Sequence, residues 1–313
     1  MPLPKLDVPT YTLKIPSNGK EITIRPFVVK EEKLLLIAAE SKDENDIIAA
    51  TKQIINNCIV SGEINIDTLP FFDVDYIFIA LRAKSIGESI EVKFTCNNVT
   101  DEGIQCDSNF STNIDIGKCS VVKNDDIKND IMLSGGIRLK MKYPSYSVMK
   151  SINADDINLE KKIKIIASSI DQVIEKDKVY TSKDFTPDEL KTFVEGLTQE
   201  QFKKLEEYID NFPTFVVNAE ATCVQCGHEH KIKYDNFSSF FFLIMGYDNL
   251  LNHFKTNFAL MQHHKYSLYD LENMISWERY IYIDLLKQYI KEEEDRIKDQ
   301  KAMQKAQQNI RRR

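Results

Sequence analysis

The chain has 313 residues, of which 42% are apolar and 28% charged; that is enough apolar surface for a sizeable core and sets a prior of one large or two ordinary domains. A formal net charge of −7 argues against nucleic acid as the main partner, because phosphate contacts need clustered Lys and Arg and the one obvious cluster is the tail Arg311-Arg312-Arg313. Ten glycines are about half the usual share, which fits a helical protein with few phosphate-cradling loops.

In chain order, residues 10–29 read as a β-hairpin. Tyr11, Leu13 and Ile15 alternate with polar residues, Ser17-Asn18-Gly19-Lys20 turns the chain, and Ile22 and Ile24 resume the alternation. Asn-Gly is a strong hairpin signal because both residues tolerate positive φ. Three helices are expected next, over Lys30–Glu40, Asp46–Val60 and Asp73–Ser85, each with apolar residues at helical spacing and packed as a small bundle. Cys58 lies on the apolar stripe of the second and reads as core.

Residues 88–122 read as β. Ser89 to Phe94 alternates cleanly and runs into Cys96; after Cys106, the pattern Phe110, Ile114, Ile116 resumes. Gly135-Gly136 separates two further short strands. Residues 150–212 are expected to be mainly helical, with a helix over Leu159–Ile174 and two N-caps, Thr186-Pro187-Asp188-Glu189 and Thr198-Gln199-Glu200-Gln201. Residues 214–234 return to strand around Cys223 and Cys226, and from Asn236 the chain is helical and aromatic-rich. The last helix begins near Ser276. Its first half is apolar; its second half, from Lys291, is almost wholly charged or Gln, so the first half docks and the second projects.

The candidate chemistry is a metal site. Cys223-Val224-Gln225-Cys226-Gly227 lets one tight turn aim two thiolates at one ion, with glycine supplying a left-handed backbone. The unit occurs twice: Thr95-Cys96 with Cys106, and Thr222-Cys223 with Cys226, each at a strand end. Two such knuckles facing one another make a zinc ribbon, a closed four-thiolate structural site of Cys96, Cys106, Cys223 and Cys226. The alternatives are four unmetallated thiols, Cys119 in place of a member of the first pair, or His228 or His230 standing in for a cysteine.

A redox Cys-x-x-Cys needs a βαβ context that is missing here. His228-Glu229-His230 lacks the i, i+4 helical spacing of a zincin, and a hydrolase built on it is the least favoured reading. His263-His264 reads as surface or as compensation of a helix C-terminus. No Gly-rich phosphate loop, nucleophile elbow or distinctive carboxylate pair is present. No apolar leader follows Met1-Pro2-Leu3-Pro4-Lys5, and the longest apolar run, Phe240 to Met245, is too short to span a bilayer. With six cysteines and no export route visible, reduced thiols or metal are expected over a disulfide framework.

The terminal helix carries the other candidate surface. Trp277, Tyr280, Ile281 and Leu285 on a helix that then turns charged form a docking face for a partner, against the plainer reading of packing on the chain's own body.

Roughly the first 120 residues resemble the baseplate hub and hub-assembly proteins of T-even-like contractile-tailed bacteriophages. The resemblance is carried by Met1-Pro2-Leu3-Pro4, by Arg25-Pro26-Phe27-Val28-Val29-Lys30-Glu31-Glu32-Lys33-Leu34-Leu35, by Gln53-Ile54-Ile55-Asn56-Asn57-Cys58 and by Leu81-Arg82-Ala83-Lys84-Ser85-Ile86-Gly87-Glu88. The ending Trp277-Glu278-Arg279-Tyr280-Ile281-Tyr282 is similar too. It implies a non-enzymatic component or assembly factor of the baseplate hub. Its partners would be other tail or hub proteins, and its places the host cytoplasm during assembly and the virion tail. The competing class is a zinc-ribbon nucleic-acid-binding or regulatory protein. Against it, Asp101, Glu102, Asp107 and Glu220 flank the knuckles as well as Lys231 and Lys233, and acids repel phosphate.

The fold expected is α+β: an N-terminal β-hairpin plus helices, a β-rich zinc-ribbon-like part, a helical insertion and a long C-terminal helix. The divisions are 1–122, 123–213 (mixed β, then helical), 214–235 (the second cysteine hairpin) and 236–313 (helical with a charged tail).

Overall fold

The computed structural model describes residues 8–99, 103, 105–122, 128–150, 158–176, 178–234 and 237–311. Met1 to Pro4, Asp101, Glu102, Arg312 and Arg313 lie outside the described residues.

The first hairpin forms where the alternation places it. Strands β1 (Tyr11–Lys14) and β2 (Glu21–Ile24) pair antiparallel, with Tyr11 opposite Ile24 and Lys14 opposite Glu21. Gly19 takes φ +72° in the turn, the left-handed region that costs glycine least. Helices α1 (Val29–Ser41), α2 (Glu44–Cys58) and α3 (Phe71–Ser85) follow. The second ends two residues short of the expected Val60, because Ile59–Ser61 forms strand β3 on the edge of β2.

Helix α3 is the centre of the molecule. Val74, Ile77, Phe78 and Leu81 are buried on one face, and Phe72, Ile79 and Ala83 are buried on the opposite one; a helix apolar all round is a core helix. Its buried polar groups are tied to the chain around them. Asp73 Oδ1 accepts from the Ser17 N–H at 2.9 Å, and the Ser85 hydroxyl accepts from the Phe27 N–H at 2.8 Å. The Arg25-Pro26-Phe27 string has a structural reason as well. Arg25 grips Glu31 with two bonds of 2.9 and 2.8 Å, while Glu31 accepts from the Val28 N–H at 3.0 Å. Strand exit and helix entry are thereby locked together.

Around this core lie β4 (Ser89–Thr95) and β5 (Asn109–Asp115), a two-stranded ladder, and a second sheet of order β12-β11-β6, in which β6 is Ser120–Val122, β11 is Thr214–Thr222 and β12 is Glu229–Tyr234. Ile90, Val92, Ile114, Phe215 and Val217 all enter the main core, as do Phe241, Ile244 and Met245 of α8 (Phe237–Met245).

Residues between the two cysteine hairpins make a second core around Leu139, Ile166, Ile170, Val194 and Leu205. Here the mainly helical expectation is corrected. After the short helix α4 (Tyr146–Lys150), the helix expected over Leu159–Ile174 stops at Ser168 as α5 (Leu159–Ser168), and Ile170–Glu175 is strand β9. Strands β7 (Asp130–Met132), β8 (Ile137–Met141), β9 and β10 (Lys178–Thr181) form a four-stranded antiparallel sheet of order β10-β9-β8-β7. Ile170, Val173 and Ile174 fit a helical stripe on spacing alone, but β-branched residues also suit strands, and here an open edge of β8 takes them. Helices α6 (Pro187–Glu195) and α7 (Gln199–Asp210) start on Thr186 and Thr198, both as complete capping boxes; each such cap contributes about 1 kcal/mol.

The C-terminal part comprises α9 (Leu250–His264), α10 (Leu268–Asn273) and α11 (Ser276–Arg311). It is pinned to the N-terminal helices through the Val29 N–H on Met274 O at 2.9 Å and through Lys30 on Asn273 at 2.9 Å. Among the described residues no helix is long and apolar enough to cross a membrane.

Candidate metal centre

Each half of the site grows from a β-ladder that runs on past its last strand residue. Beyond the Thr95–Asn109 pair, the Cys96 N–H donates to Ser108 O at 2.8 Å and the Asp107 N–H to Cys96 O at 3.1 Å; the Cys106 N–H donates to Asn98 O at 2.9 Å. Beyond the Thr222–Glu229 pair, the Cys223 N–H donates to His228 O and the Gly227 N–H to Cys223 O, both at 2.9 Å. Gly227 sits at φ +70°, so the tight turn after Cys226 uses the left-handed backbone that glycine permits.

The two tips meet. The Sγ atoms of Cys96 and Cys226 are 3.6 Å apart and those of Cys106 and Cys223 are 3.8 Å apart. All four ligand atoms lie within 4.8 Å of one another. Tetrahedral thiolate coordination with bonds near 2.3 Å puts neighbouring sulfurs about 3.8 Å apart, so the cluster is close to the size of the thiolate shell around one metal ion. Both of these close pairs join one hairpin to the other, so an ion here would cross-link them.

The electrostatics differ across the cluster. The Cys226 N–H, working against burial and joined by the Gln225 N–H, holds the Cys223 thiol down to about 6, while burial pushes Cys96 up to about 12. His230 Nε2 stands 3.2 Å from Cys96 Sγ, placed to donate to a thiolate, and its ring rests on Phe110 with centroids 5.4 Å apart. Phe94, Phe110 and Ala221 make a small apolar floor beneath the sulfurs. His230 is therefore a neighbour of the cluster and not one of its four sulfur positions. His228 and His230 lie on the same side of the strand, ring centroids 4.7 Å apart.

Cys119, the competing candidate, is not in the cluster. It is half-buried beside the main core, with its sulfur 3.9 Å from Asp115 O. Cys58 is fully buried, as expected for core.

A family model described as T4 bacteriophage base plate protein matches residues 8–242. The chain belongs to that family. No curated protein and no solved structure matches it. Membership makes the chain a phage baseplate protein, with other phage proteins as its partners and the virion tail as its place. The matched stretch takes in both cysteine hairpins and stops within α8, so α9, α10 and α11 of this baseplate protein lie beyond it.

The other sequence candidates fall on two sides of α11. Ile281 and Leu285 are more than half exposed, and Trp277 is 36% exposed, all on one outward face. Tyr280 instead turns inward, its hydroxyl donating to Glu32 at 3.0 Å.

Tyr280 belongs to a buried polar cluster that sequence reading missed. Glu32 of α1 is fully buried and accepts from Tyr247 at 2.6 Å and from Ser276 at 2.8 Å. Arg279 is 1% exposed; it lies 3.7 Å from Glu32 and 3.8 Å from Asp248, and donates to Asn257 at 3.0 Å. His253 is buried beside it, with Nδ1 3.4 Å from the guanidinium. Charged residues on helices read as solvated faces unless something in the sequence pairs them, and positions 32 and 279 carry no such signal.

Proposed function

We propose that this baseplate protein is a component or assembly factor of the baseplate hub that acts through protein–protein contacts. In this reading Cys96, Cys106, Cys223 and Cys226 hold one structural zinc. What supports the zinc is the fit of four sulfurs to a closed tetrahedral shell. Such a shell leaves no open position for a substrate or an activated water, so the ion's part in this reading is structural and not catalytic. The ion's role is a cross-link. The two hairpins bracket the 123–213 segment, and tying their tips together holds both ends of that unit in register on the main core.

The outward face of α11 supports the contact reading. A helix apolar on its inner side and also on its outer side at Trp277, Ile281 and Leu285 is built to be covered all round. Large aromatic and aliphatic side chains exposed together mark contact surfaces. The proposed occupant is a hub protein of the same phage.

Co-expression with each hub protein of that phage tests this. One of them is expected to co-purify with the wild-type chain and to be lost with Ile281→Asp and Leu285→Asp, while the variant's melting temperature stays unchanged. Capture by none of them, or capture indifferent to both substitutions, overturns the contact reading. Mass spectrometry of purified particles then separates component from assembly factor.

A further inference from the structure

The cysteine cluster pairs its members by access as well as by distance. Cys96 and Cys223 are buried, whereas Cys106 and Cys226 are half-buried and partly open to solvent. Each of the two close contacts joins one of the first kind to one of the second. Cys226 Sγ stands 3.6 Å from Cys96 Sγ, and Cys106 Sγ stands 3.8 Å from Cys223 Sγ. An oxidant arriving from solvent meets one sulfur of each pair, with a second sulfur directly behind it. That is the arrangement of an oxidisable thiol with its resolving thiol. The other two cysteines lack it. Cys58 is fully buried, and Cys119 lies outside the cluster, its sulfur 3.9 Å from Asp115 O.

We infer that Cys96, Cys106, Cys223 and Cys226 are a site of reversible thiol oxidation by hydroperoxides, which closes the disulfides Cys96–Cys226 and Cys106–Cys223. In each pair the open thiol cleaves the O–O bond of hydrogen peroxide. Its sulfur keeps one oxygen as a sulfenic acid, and the other oxygen leaves as water. The buried thiol then attacks that sulfur. The S–S bond forms, the S–O bond breaks, and the oxygen departs as a second water with the attacking thiol's proton. Each disulfide takes two electrons from two thiols and consumes one peroxide.

Closing either contact to an S–S bond of about 2.05 Å asks for a movement of less than about 2 Å. The hairpin tips can make it, because what crosses between them is side-chain contact to sulfur, from His230 and Asn98. Both bonds join one hairpin to the other, so oxidation puts a covalent cross-link at the place where an ion would supply a coordinate one. Thiols stay reduced in the cytosol and oxidise at virion surfaces, and this chain is a virion tail protein. The inference rests on the geometry of the four sulfurs and not on the zinc reading; an ion bound there would be released as its thiolates are consumed.

Peptide mapping of the full chain tests it. The purified protein is treated with excess hydrogen peroxide, remaining thiols are alkylated, and the non-reduced digest of the single-chain band is read by mass spectrometry. Metal content measured on the same sample before oxidation answers the zinc reading separately. Linked peptides holding Cys96 with Cys226 and Cys106 with Cys223 are expected, both lost on adding dithiothreitol, with Cys58 and Cys119 in no disulfide. Bonds within a hairpin, Cys96–Cys106 or Cys223–Cys226, overturn the inference. So do bonds that form only between chains, and so do four cysteines that stay free or run on to sulfinic and sulfonic acids.

Discussion

Cys96 and Cys226 are separated by 130 residues in the chain and by 3.6 Å between sulfurs. Among the described residues no strand ladder joins their two hairpins at the tips; what crosses there are side-chain contacts to sulfur, His230 Nε2 at 3.2 Å from Cys96 Sγ and the Asn98 amide donating to Cys226 Sγ at 3.7 Å. The apolar contacts beneath the sulfurs are few, so a small satellite cluster has to keep four thiols in mutual contact. That arrangement has a physical reason if an ion takes up the thiolates.

Metal removal should therefore loosen the hairpin tips and leave the body folded. One zinc per chain is expected by elemental analysis, and none in Cys96→Ser or Cys223→Ser. A strong chelator should lower the melting temperature by about 5–10 °C, the shift expected for a loss of roughly 3 kcal/mol in a domain of this size. Hydrogen exchange should speed up around 96–106 and 223–228 before it does anywhere in α3. A metal-free protein with slow exchange at those tips would show that the cysteines hold each other without an ion.

Cys119→Ser provides the contrast. Its sulfur is outside the cluster and half-buried, so metal content should be unchanged and stability altered by less than about 1 kcal/mol. Loss of the ion in this variant would put Cys119 back among the ligands.

Much of this was readable from local pattern. The Asn-Gly turn, both capping boxes and the paired Thr-Cys strand ends each carry their signal within a few residues, because the physics that sets them is local. Where several residues satisfy two periods at once, locality fails: Ile170, Val173 and Ile174 could line a helix or a strand, and the choice was made by the edge of β8. The choice of Cys106 over Cys119 was likewise made by where the fold carries β5. The Glu32–Arg279 pairing spans almost the whole chain, and nothing near either residue announces it.

His253 should make stability depend on pH. Burial, and next the Arg279 guanidinium, lower its pKa below the usual 6.5, against the opposing pull of Glu32 and Asp248; Lys33 lowers it further, and Asn257 is the neutral group on its ring. A depressed folded-state pKa means the unfolded chain binds the proton more readily. Stability from this residue is thus full above pH 6.5 and is lost as pH falls through the folded value. The slope approaches at most about 1.4 kcal/mol per pH unit for one proton. Urea titrations between pH 5 and 7.5 should show wild type losing stability on acidification and His253→Gln losing less; parallel curves for the two proteins would assign the effect elsewhere.

The Glu32–Arg279 pair should behave as a buried ion pair whose halves cannot be removed singly. Arg279→Met leaves the Glu32 carboxylate facing Tyr247, Tyr280 and Ser276 with no cation at 3.7 Å. Glu32→Gln leaves the guanidinium with Asp248 as its one carboxylate partner. Uncompensated charge in a buried site costs about 3–5 kcal/mol, so each single variant should be strongly destabilised in urea. The double variant should cost less than the sum of the two by roughly 1–3 kcal/mol, because it leaves neither charge stranded. The damage should also be regional. Ser276, Arg279 and Tyr280 are all on the first turns of α11, so hydrogen exchange there should rise in either single variant while the four-stranded sheet around Ile170 stays protected. Additive losses, or exchange spread evenly over the molecule, would mean that the pair is incidental and that α11 is held by its backbone and apolar contacts alone.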